Sequence, residues 1–135
     1  MKDEQLKTLV KYRIKLAYET LHEADILFKE NFFRGTINRA YYAMFYSVLA
    51  LLAIKKLGNS KHSGAISLFD REFVNTGIFP KELSKNLRLA FDRRQTHDYG
   101  EVIEIDRDTA QLILENAKRF IKEVESYLDK QGYLN

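Results

Sequence analysis

A chain of 135 residues, 45% apolar and 30% charged with one proline, has the size and composition of one folded domain and excludes a disordered segment. The absence of cysteine removes disulfide frameworks, thiolate metal sites and cysteine nucleophiles, and fits a reducing compartment. The formal charge of +3 suits an anionic partner but falls far short of a polybasic nucleic-acid footprint. Met1 leads into Lys2, Asp3 and Glu4 instead of a basic end followed by an apolar run, so a cytoplasmic protein without a leader is expected.

From residue 3 to about 31, Val10, Ile14, Ala17, Leu21, Ala24 and Phe28 recur at alternating spacings of four and three, which predicts a long amphipathic helix. Residues 31–35 read as a short turn. Residues 36–57 form the most apolar segment and close at Gly58. That second helix carries one stripe of Tyr41, Phe45, Val48 and Leu52 and another of Tyr42, Tyr46, Leu49 and Ala53. It is too short and too rich in polar-tipped rings for a membrane span of about 20 apolar residues. Burial on several sides is expected, with Tyr42 and Tyr46 meeting a second copy of the chain.

Residues 58–64 make a polar connection, and residues 65–75 offer Ile66, Leu68, Phe69, Phe73 and Val74 on a short helix. A further helix starts at Lys81, uses Leu83, Leu87, Ala90 and Phe91, and stops at Tyr99 and Gly100. The last opens at Asp106, a good N-cap, and runs to Leu128. The expected fold is all-α: an up-and-down four-helix bundle of a single domain, residues 1–135, with an extra short helix between the second and third long ones.

Candidate chemistry concentrates between Arg93 and Tyr99. Arg93 and His97 stand four apart on a predicted helix and can converge on one anionic group, with Arg94 beside them. A guanidinium for the phosphate and an imidazole for the proton are what metal-free RNA cleavage needs. The plainer reading is a solvated helix end on which Asp98 pairs with Arg94. Lys61 and His62, in a small-residue loop ahead of a helix, are candidate phosphate ligands or ordinary solvated loop residues. Glu19 and His22 form one Glu-x-x-His where a di-metal bundle needs two, so no metal site is expected, and no residue pattern calls for a cofactor.

Three stretches, residues 39–46 from Arg39 and Ala40 through Tyr41 and Tyr42 to Tyr46, residues 61–66 beginning Lys61-His62-Ser63-Gly64, and residues 91–100 with Asp98-Tyr99-Gly100, resemble the HEPN domains. The likeness spans nearly the whole chain and looks closest to short, stand-alone prokaryotic members. It implies a helical bundle, a two-fold dimer and a polar site in the dimer groove. Active members are metal-independent RNases, many of them toxins paired with a minimal nucleotidyltransferase, while others bind nucleotides or serve as docking modules. Their motif is an arginine, four to six residues, then a histidine, with a modified tyrosine two positions later in one branch. His97 and Tyr99 match the last two. Asp92 occupies the four-residue position, and Arg93 is one place nearer. The resemblance therefore implies His97 as acid or base, Arg93 as a displaced phosphate ligand and Tyr99 as a modification site. The expected function is a toxin-like HEPN homodimer that binds RNA or nucleotide and has RNase chemistry. The alternative is a non-catalytic nucleotide-binding or protein-docking module with a degenerate motif.

Overall fold

The computed structural model describes residues 3–58, 61–98 and 105–135, with residues 96–98 as backbone only. Among these residues there are five α-helices, one π-helical turn and no strand. Helix α1, Glu4–Lys29, is capped by the Asp3 carboxylate, which accepts the Gln5 N–H at 3.0 Å. All six periodic apolar positions from Val10 to Phe28 are buried. Asn31 ends it with a left-handed φ of 64°, and the Phe32 N–H donates to the Leu27 carbonyl at 2.8 Å.

This reversal is tighter than the sequence suggests, because α2, Phe33–Ile54, begins at once and takes Gly35 into its first turn. A Cβ on Gly35 would stand 3.0 Å from Leu27 Cδ1, so the bare glycine lets the end of α1 rest on the start of α2. At its other end α2 stops at Ile54, short of the expected Gly58. Lys56 adopts the left-handed φ of 57° instead, and the Leu57 N–H reaches the Leu52 carbonyl at 2.9 Å. Leu57 packs back on the core, and the chain must reverse before it to allow that contact.

Helix α3, His62–Phe69, starts three residues earlier than expected and runs directly into the π-helical turn Asp70–Val74. There the Asn75 N–H donates to the Asp70 carbonyl, five residues back, at 2.8 Å. The Asp70 carboxylate accepts from Ser84 Oγ at 2.6 Å and from Arg88, tying this turn to α4, Lys81–Asp98. Helix α5, Arg107–Lys130, has the expected cap: Asp106 Oδ1 accepts the Thr109 N–H at 2.7 Å.

Helix α2 packs against α1, α3, α4 and α5, and α5 also lies against α1 and α4. By length and hydropathy α2 would suffice to cross a membrane, yet 67% of its most apolar window is covered by the other helices. It is the core helix. Ala17 and Ala24 of α1 and Ala40 and Ala43 of α2 are fully buried. Tyr18 donates to Glu125 at 2.7 Å, and Lys118 to Asp25 at 3.3 Å, along the seam of α1 and α5.

Leu87 is fully buried on the core side of α4. Leu87→Ala should cost about 2–5 kcal/mol, read as a lower urea midpoint with an unchanged slope.

Candidate functional site

The period that buries Leu83, Leu87 and Ala90 on α4 reaches Arg94 next, and Arg94 is only 7% exposed. Its guanidinium carbon stands 5.2 Å from the ring centre of Tyr41 and 5.6 Å from those of Tyr42 and Phe91. Three π faces around one planar cation supply attraction that water no longer provides, on the order of 2 kcal/mol for a desolvated pair.

Tyr41 is fully buried in the middle of this group, so its phenol needs a partner. His62, brought in by the first turn of α3, supplies it: Tyr41 Oη lies 2.6 Å from His62 Nδ1. Burial pushes the Tyr41 phenol well above its usual value, despite the opposing charge of Arg94. Burial and then the Arg94 charge push the His62 imidazole down. With the phenol protonated and the imidazole neutral, the buried phenol is satisfied when it donates to Nδ1, which leaves the ring proton on Nε2. The imidazole stacks on Phe45, with ring centres 4.3 Å apart.

Arg39 borders the same cluster. Its guanidinium carbon is 5.2 Å from the Tyr42 ring centre, so Tyr42 lies against both arginines. Tyr42 and Tyr46 are half-buried within one copy of the chain, with ring centres 6.1 Å apart.

The adjacent arginines of α4 have different surroundings. Arg93 is exposed. Its charge adds to the hydrogen bonds from Thr109, the larger cause, that hold the Asp106 carboxyl below the usual carboxylate range. Asp92 is exposed, as is Lys61 immediately before α3. His97 belongs to α4 by its backbone, and its side chain lies outside the described residues, as does Tyr99 altogether. The structure therefore brings together His62, Arg94 and Tyr42 of the sequence candidates and places Arg93 and Lys61 at the surface. Phe45 and Phe91 look in the sequence like ordinary apolar-stripe residues, and nothing in it singles out Tyr41 from its neighbouring tyrosines. The available signal was a tyrosine hydroxyl on the most buried helix.

With this geometry established, comparison with known proteins places the chain. The model of the HEPN domain matches residues 10–127, and the chain belongs to that family. A UPF0332 protein of Thermotoga maritima is 42% identical over 121 residues, covering 90% of this chain and 86% of its own length. Two proteins of Methanocaldococcus jannaschii that carry the name "Putative toxin" are also similar. One is 34% identical over 90% of this chain and 82% of its own, the other 32% over 95% and 90%.

The imidazole links stability to pH. His62 has a folded pKa below the free value of about 6.5, so its contribution is complete above that value. It is lost as pH falls from about 6.5 through the lower folded value, because the unfolded chain takes the proton first. His62→Gln should flatten the acid limb in denaturation at a series of pH values. Tyr41→Phe should cost roughly 0.5–1.5 kcal/mol by the same measurement at pH 7.5.

Proposed function

We propose that this chain is the toxin-like member of a pair with a minimal nucleotidyltransferase, a cytoplasmic homodimer that binds RNA or nucleotide around Arg94. In this reading the long helices make an up-and-down four-helix bundle, α3 is the additional short helix, and the groove between two copies carries the site, with Tyr42 and Tyr46 at the contact. The carrying observation is Arg94 held on the rings of Tyr41, Tyr42 and Phe91 beside a His62 imidazole kept neutral. A fixed planar cation meets a phosphate in a fork that lysine lacks, and a neutral imidazole is able to take a proton.

Metal-independent cleavage of RNA follows from the same parts. The 2′-hydroxyl gives its proton to an imidazole as its oxygen attacks phosphorus, the guanidinium meets the charge growing on the phosphoryl oxygens, and the departing 5′-oxygen takes up a proton. His97 is the proposed acid or base. It follows Arg94 by three positions on α4, a spacing at which helical side chains are neighbours. Arg94 takes over the phosphate role that spacing gave to Arg93, which with Lys61 becomes a flanking surface cation. Support for the toxin reading also comes from the two relatives that carry that name.

Purified protein incubated with RNA tests the catalytic part. His97→Ala should reduce cleavage by about 100-fold or more, and Arg94→Lys should also impair it. Cleavage that survives His97→Ala unchanged would sink the assignment. Exposed Asp92, standing where the family motif has its arginine, favours a second reading: a non-catalytic nucleotide-binding or docking module. Calorimetry with ATP and other nucleotides separates its versions, since no heat with any of them leaves only docking. A strict monomer in a solution size measurement contradicts the interface given to Tyr42 and Tyr46.

A further inference from the structure

Arg39 faces more than Tyr42. A cavity of about 370 Å³, at the small end of the range for ligand pockets, is lined by Glu23, Ile26, Leu27 and Arg39 between α1 and α2. Arg39 thus touches both this cavity and the ring that Arg94 covers. We propose that Arg39 and this cavity form a second nucleotide subsite, which receives the nucleotide flanking the one held at Arg94. The proposal rests on the RNA-binding reading above and extends it.

The chemistry of the lining matches one nucleotide unit. Ile26, 47% exposed, and Leu27 give the base an apolar wall, and Arg39 gives the phosphate a cation. Arg39 is also oriented for this before any ligand arrives. Its Nε and Nη2 both donate to Asn38 Oδ1, at 3.0 and 2.8 Å, which fixes the guanidinium plane. Its Nη1 remains opposite Glu23 at 3.8 Å, in an ion pair between partly exposed side chains. Such a pair contributes little, and an RNA phosphodiester, with its own negative charge and two non-bridging oxygens, can take the place of the carboxylate. Glu23 is in this view a placeholder that competes with the ligand.

The test uses the full chain, a labelled single-stranded oligoribonucleotide and fluorescence anisotropy over a range of salt. Arg39→Ala should weaken binding roughly tenfold, the loss of one charged contact. It should also lower the slope of log affinity against log salt by about 0.7. Glu23→Gln should tighten binding, and Arg39→Lys should fall between the wild type and Arg39→Ala. Thermal melts of each variant establish that the fold is kept; both side chains are partly exposed. If the wild type binds and Arg94→Ala abolishes binding while Arg39→Ala and Glu23→Gln match the wild type in affinity and slope, the subsite is overturned and the Arg94 site stands. If the wild type binds no RNA at any salt, the underlying reading fails and the subsite with it.

Discussion

A helix that is apolar nearly all round must be covered nearly all round, and the arrangement of the other helices follows from that one requirement of α2. Its covering residues come from α1, α3, α4 and α5, and all of the long helices supply them as regular stripes. Helices α1 and α2 pack against each other, and Gly35 lets the end of α1 rest on the turn that connects them. A hydroxyl that would be harmless on a surface helix becomes a constraint here. Tyr41 lies inside, and its oxygen must be satisfied by whatever element comes to it. His62 on α3 meets that need, which explains why α3 begins at His62 and not farther along its apolar stretch.

Arg94 then sets the electrostatics of the cluster. A guanidinium this buried is costly to hold, and three aromatic faces offset part of the cost without neutralising the charge. The retained charge acts on its neighbours. It opposes protonation of His62 and reinforces what burial already does, so the imidazole takes a proton less readily than an ordinary histidine. A fixed cation next to a base whose protonation it opposes, at the edge of a core, is a combination that costs stability.

Membership of the HEPN family fits this picture at the level of the fold, since its model matches residues 10–127, which contain the whole aromatic and cationic cluster. Asp92 and Arg93 are exposed on α4, while Arg94 occupies the inward face with Leu87 and Ala90. The inward position on α4 decides which arginine meets the rings.

Helical class, the five helical segments and most of their buried stripes were legible in the sequence, because a period near 3.6 is a local property that each helix carries by itself. So was the cap at Asp106, which acts on backbone within three residues. Where a helix stopped was less legible: Lys56 replaces Gly58 at the turn because Leu57 must return to the core, a demand made by distant residues. The choice between Arg93 and Arg94 lay further out of reach. Neighbouring residues differ by about 100° around a helix, and only the packing of α4 on α2 determines which of the two directions is inward. The bond from Tyr41 to His62 joins residues 21 apart in the chain, and tertiary structure alone decided it.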